Sequence, residues 1–102
     1  MTTDFDLTGK VAIVTGGNGG IGYGIAQGLA QAGADIVVAA RQPAKNVQAI
    51  TNLQALGVRA MSVSTDVQDE TSVQAMVEAS VETFGHVDIL VNNAGINIRK
   101  AP

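Results

Sequence analysis

Four apolar residues, Val11-Ala12-Ile13-Val14, run without interruption into Thr15-Gly16-Gly17-Asn18-Gly19-Gly20-Ile21-Gly22. Few patterns restrict a fold more. An apolar tetrad with no polar alternation suits a strand covered on both faces of a parallel sheet. Beyond the glycines, Ile21, Ile25 and Leu29 recur four apart, the spacing of one helix face. A buried strand therefore turns abruptly into a helix. Gly16, Gly20 and Gly22 leave room for backbone angles closed to other residues and for close approach by another group. At a helix start that group is commonly an anion: the free N–H groups and a macrodipole equivalent to about half a positive charge both favour a phosphate. Glycine clusters also mark ordinary tight turns, so the strand and helix around this one give it its weight. The turn is expected to hold a nucleotide pyrophosphate.

The alternation continues along the chain. Ala26 and Ala30 flank the first helix stripe, and Gly33 stands where a helix ends. Gly24 and Gly28 lie inside that helix. Each costs about 1 kcal/mol relative to alanine, so close packing on the sheet or on a ligand is expected to explain them. A second strand spans Asp35–Ala40 around Ile36-Val37-Val38. After Pro43 a second helix places Val47, Ile50, Leu53 and Leu56 on one side and stops at Gly57. A third strand, residues 59–64, alternates Ala60, Ser62 and Ser64 with Met61 and Val63, as an edge strand does. In the third helix Val73, Met76, Val77, Val81 and Phe84 trace one face, Asp69 and Glu70 sit at the positive end, and Gly85 closes it. A fourth strand near residues 87–92 holds Ile89-Leu90-Val91 and runs into Asn92-Asn93-Ala94-Gly95. Phe5 and Leu7 in the lead-in are expected to cover a sheet edge. Right-handed crossovers make the four strands parallel. The spatial order 3-2-1-4 then opens a ligand crevice at the carboxyl ends, between strands one and four.

At 102 residues the chain is one domain at most. It is 46% hydrophobic and 15% charged, a globular composition. With no cysteine it has neither disulfides nor a thiolate metal site. A net charge of −3 and scattered basic residues argue against a nucleic-acid surface. No apolar run has the length of a membrane span and residues 1–10 lack the pattern of a signal peptide, so a cytoplasmic protein is expected.

TGxxxGIG after the first strand and NNAG after the fourth together resemble the short-chain dehydrogenase/reductase family. Thr65-Asp66-Val67 is similar to the family's segment beside the adenine ring. The resemblance covers nearly the whole chain. It implies a Rossmann-like doubly wound α/β fold with three crossover helices, in which residues 1–102 form the dinucleotide-binding half of a single domain. It also implies that Gly16, Asn18, Gly20, Ile21 and Gly22 cradle the pyrophosphate side of the cofactor. Asp66 would accept from the adenine amino group, Val67 would pack on the ring, and Asn93, Ala94 and Gly95 would line the adenosine ribose. By themselves Asp66 reads equally as a capping or loop carboxylate and the paired asparagines as a turn.

Cofactor choice turns on the end of the second strand. A carboxylate about twenty positions beyond the glycines binds the ribose 2′-hydroxyl of NAD; here Ala40 and then Arg41 occupy that place. Alanine leaves space and a guanidinium can bond a 2′-phosphate. NADP(H) is therefore expected, with NAD(H) possible, although a solvated arginine would look the same. The family's chemistry interconverts an alcohol and a ketone with a tyrosine, a lysine four residues later and a serine. The one tyrosine, Tyr23, has Gln27 four residues on and lies in the cofactor helix. The resemblance puts the catalytic residues beyond NNAG, so this chain is expected to bind cofactor without turnover, as the amino-terminal part of an oxidoreductase. A non-catalytic nucleotide-binding module is the alternative, and an adenosylmethionine or nucleotide-sugar binder a third. Residues 92–102, including Arg99, resemble sugar-acid dehydrogenases of the family, and acyl-carrier-protein reductases share this half. Arg99 could meet a substrate carboxylate or be solvated. His86 and Asp88 are assigned no chemistry. An uncovered fourth strand is expected to promote self-association.

Overall fold

A computed structural model describes residues 6–93. Strands and helices alternate throughout: β1 (Val11–Thr15), α1 (Gly20–Gln31), β2 (Asp35–Ala40), α2 (Pro43–Gln54), β3 (Ala60–Ser64), α3 (Glu70–Phe84) and β4 (Ile89–Val91). The four strands form one sheet in the order β3-β2-β1-β4. All pairings are parallel, with Ile13 opposite Val37 on one side and Leu90 on the other.

The two central strands explain the sheet. Every residue of β1 is buried, and so are Ile36 to Ala40 of β2. Their side chains alternate between two apolar layers. Ala12, Val14, Ile36 and Val38 face α1 and α2, meeting Ala26, Ala30 and Leu53. Val11, Ile13, Val37 and Ala39 face α3, where Met76 is buried and Val73, Val77 and Phe84 pack alongside. Helices on both faces are what an all-apolar strand requires. β3 alternates as expected of an edge strand, with Met61 and Val63 in the α3 layer. Leu7 packs on the α1 layer, while Phe5 lies outside the described residues.

Three expectations about faces need correction. In α2 the buried residues are Asn46, Ala49 and Leu53, with Val47 65% exposed and Leu56 also exposed. A buried asparagine has displaced the apolar side chain that periodicity selects. In α3 Ser80 is buried and Val81 is exposed, because the Ser80 hydroxyl bonds back to the Met76 carbonyl at 2.8 Å and so needs no water. Gly24 and Gly28 do not pack closely on the sheet: among the described residues, the adjoining backbone of α1 aside, nothing lies within 4 Å of where a Cβ would stand on either.

Loop chemistry sets the helix ends. Asp69 caps α3 by accepting from Thr71 N–H at 3.0 Å, and Gly85 closes it in a left-handed conformation. Asp88 joins the start of β4 to β1. Its Oδ2 accepts from the Val11 N–H at 2.8 Å while its own N–H donates to the Val11 carbonyl at 2.9 Å, fastening β4 to the start of β1. His86 Nε2 lies 2.9 Å from the Gly9 carbonyl oxygen and 3.1 Å from Asp88 Oδ2. No described helix is long and apolar enough to cross a membrane.

Candidate functional site

The loops that leave β1, β2 and β3 at their carboxyl ends converge on a single cleft. It has a volume of about 590 Å³. Gly16 and Asn18 line it from the first turn, Ala40, Arg41, Gln42 and Lys45 from the end of β2 and the opening of α2, and Thr65, Asp66, Val67 and Gln68 from the loop after β3. The crevice expected between β1 and β4 is thus not where the described cavity opens. The segment after β4 that would bound such a crevice, including Ala94, Gly95 and Arg99, lies outside the described residues.

The glycine turn has the geometry of an anion seat. Gly16 takes φ 67° and Gly20 φ 56°, left-handed values that bend the chain from β1 into α1 and that a side chain resists. At the N-cap of α1, Gly19 has no side chain with which to accept from the first-turn N–H groups, and no acidic residue stands in that turn. The positive end of α1 is thus left to whatever approaches it. Gly22 serves a different purpose. A Cβ there would collide with the Gly16 carbonyl oxygen and lie 2.7 Å from Asn93 Nδ2, so the bare backbone lets α1, the turn and the end of β4 close on one another. Gly20 and Ile21 do not line the cleft; Ile21 is 75% exposed.

Across the cleft Arg41 and Asp66 face each other, with Nη1 3.4 Å from Oδ2. Asp66 also accepts from Gln68 N–H through Oδ1 at 3.0 Å, and its own N–H donates to Ser72 Oγ at 2.9 Å. The loop-carboxylate reading of Asp66 and the cleft-lining one are therefore both realised. Val67 is exposed beside it. Thr65, whose N–H donates to the Ala40 carbonyl at 3.2 Å, holds this loop to the end of β2. Gly16, Asn18, Arg41, Asp66 and Val67 thus come together, Gly22 and Asn93 meet next to them, and Asn92 accepts from Thr15 Oγ1 at 3.3 Å.

Two contributors escaped the sequence reading. Lys45 lines the cleft with its Nζ 3.3 Å from where a Gly19 Cβ would stand, and among the described residues it has no carboxylate partner. Its place in the first turn of α2, just after the strand end that carries Arg41, was the available signal. Asn46, 4% exposed, donates through Nδ2 to the Ala40 carbonyl at 3.1 Å and accepts through Oδ1 from Asn18 Nδ2 at 2.9 Å. Nothing in the periodicity distinguishes it from a surface residue. Among the described residues no group of three or more metal-ligating side chains is assembled.

A glycine turn on an uncapped helix, at the carboxyl edge of a 3-2-1-4 parallel sheet, defines a Rossmann-like nucleotide-binding architecture. The sequence profile of the short chain dehydrogenase family matches residues 10–102, and the chain belongs to that family. It is 46% identical over 93 residues to the 2-dehydro-3-deoxy-D-gluconate 5-dehydrogenase of Escherichia coli (strain K12), a match over 90% of this chain and 36% of that protein. Among solved structures it is similar to the L-sorbose reductase of Gluconobacter frateurii complexed with NADPH and L-sorbose. That likeness has a TM-score of 0.88 and 43% identity, over 97% of this chain and 38% of the reductase. A second, NAD+-bound xylitol dehydrogenase, gives a TM-score of 0.84 and 37% identity, over 87% of this chain and 34% of the other. The chain spans little more than a third of the length of the curated relatives it matches, and corresponds to the amino-terminal, cofactor-binding part of such dehydrogenases.

Proposed function

We propose that this chain is the NADP(H)-binding portion of a cytoplasmic oxidoreductase that interconverts a secondary alcohol and a ketone. The observation that carries the reading is the cleft that joins the glycine turn, through Gly16 and Asn18 just before an uncapped helix, to two cations, Arg41 and Lys45. When bound, the nicotinamide supplies or accepts the hydride. The residues of this chain bind and orient. Gly20, Ile21 and Gly22 would offer the free first-turn N–H groups of α1 to the pyrophosphate, with Gly16, whose own N–H donates to the Ala39 carbonyl at 2.9 Å, and Asn18 shaping the turn beneath it; Asp66 and Val67 would hold the adenine, and Asn93, Ala94 and Gly95 would border the ribose. The fit is tested by the N-cap of α1, where Gly19 leaves the first-turn N–H groups without a side-chain acceptor, and by the cleft lining, which carries the cations Arg41 and Lys45. Tyr23 packs against the α1 layer of the core and supplies no acid–base group to the cleft. The proposal is therefore binding without turnover by these residues alone.

Arg41 is engaged with Asp66, but that pair does not hold it. Their side chains are 66% and 43% exposed, and an ion pair that open to water contributes about 0–1 kcal/mol. A hydrogen bond to a charged phosphate is worth about 1.5–3 kcal/mol, so exchange of Asp66 for phosphate is favourable. Calorimetric titration of Arg41→Ala is expected to show NADPH bound about ten- to a hundredfold more weakly with NADH little changed. Asp66→Ala should weaken both alike. Equal NADPH affinity in Arg41→Ala and the parent would remove the NADP assignment, and tighter binding of adenosylmethionine than of either dinucleotide would remove the oxidoreductase reading. The substrate class suggested by the relatives is a sugar or sugar acid. We extend the proposal to self-association through β4, whose outer side has no neighbouring strand among the described residues.

A further inference from the structure

We infer that Asn46 is a positioning residue for the nucleotide, which fixes the end of the Asn18 amide presented to the cleft. The inference rests on the cofactor reading above. A carbonyl oxygen only accepts, so the Ala40 carbonyl at the end of β2 draws Asn46 Nδ2 toward itself. That leaves Asn46 Oδ1 pointing at Asn18, which must answer with its own Nδ2. Each amide has one donor end and one acceptor end. With one N–H of Asn18 spent on Asn46, its carbonyl oxygen is the acceptor that this side chain keeps for the cleft it lines.

The polarity matters because the two halves of a nucleotide differ. A phosphate oxygen is an acceptor and is repelled by that carbonyl; a ribose hydroxyl can donate to it. Asn46 thus holds the Asn18 oxygen as an acceptor for a sugar hydroxyl. On the adenosine ribose the 3′-hydroxyl is free in both NADH and NADPH, so the contact acts on both cofactors equally. This separates it from Arg41, whose proposed contact exists only with a 2′-phosphate. The same asparagine ties the glycine turn to α2, whose first turn carries Lys45. Burying an amide where α2 otherwise packs apolar side chains costs free energy unless every polar end is bonded, and here both are.

The test compares Asn18→Ala, Asn46→Ala and the double variant in titrations with NADH and NADPH. Asn46→Ala is expected to fold, since the Ala40 carbonyl keeps the Thr65 N–H; circular dichroism checks this. Each single change should weaken both dinucleotides by the same factor, about two- to tenfold for one neutral hydrogen bond. The double variant should bind no more weakly than either single one, as coupled partners do. Effects that multiply, an Asn46→Ala that lowers the melting temperature but leaves both dissociation constants unchanged, or an Asn18→Ala with parental affinity would each overturn the inference. The Asn18→Ala arm decides it even if Asn46→Ala does not fold. A parent that binds neither dinucleotide would instead overturn the cofactor reading.

Discussion

Gly22 is where one methyl group would disturb the site most. Its Cα faces the Gly16 carbonyl oxygen and the Asn93 side chain with no space for a Cβ, and the first of these neighbours is backbone that cannot rotate aside. Gly22→Ala must push α1 away from β1, and overpacking of this kind costs about 1–3 kcal/mol. The expected outcome is a urea midpoint lowered accordingly and a weakened dinucleotide complex. A variant with parental stability would mean that α1 can retreat without loss. The motif marked this glycine, but for room toward a ligand; the coordinates assign the room to the protein's own backbone. Asp88 shows the opposite case. No motif marked it, yet its carboxylate accepts from a residue far back in the chain, Val11. Sequence spacing carries no information about such a partner.

At the scale of single elements, α2 carries the clearest test. Apolar periodicity placed Val47, Ile50, Leu53 and Leu56 on one buried face, and the structure keeps Leu53 there, fully buried, with Ile50 packed alongside, while Val47 and Leu56 are exposed. Leu53→Ala should cost about 2–5 kcal/mol, the range for truncating a buried leucine. Val47→Ser should change stability by no more than about 0.5 kcal/mol, as a surface substitution does. Equal losses in the two variants, measured by chemical denaturation, would restore the face that periodicity suggested. The helix rotates away from Val47 because Asn46 must reach both the Ala40 carbonyl and Asn18. A polar bridge has overruled the hydrophobic stripe.

For the molecule as a whole, the open question is the outer side of β4. Leu90 is 59% exposed there, on a strand with no outer neighbour among the described residues. Open strand edges with apolar side chains pair with other chains. Light scattering of the chain is expected to show association that Leu90→Lys reduces; a parent that stays monomeric at high concentration would contradict it. The strand order, the parallel pairing and the bounds of β2 were legible in the residues because buried strands need continuous apolar runs and crossovers need helices. The glycine turn and Arg41 lie where motif spacing and the end of β2 put them, and Asp66 and Val67, named from the family resemblance, line the same cleft as Arg41. Tertiary structure alone decided the side on which the cleft opens, the ion pair across it, the fastening of β4 to β1 by Asp88, and the places of Lys45 and Asn46. The sequence determined the elements because periodicity is local. The contacts between them depend on how the elements rotate and meet, and only the folded chain fixes that.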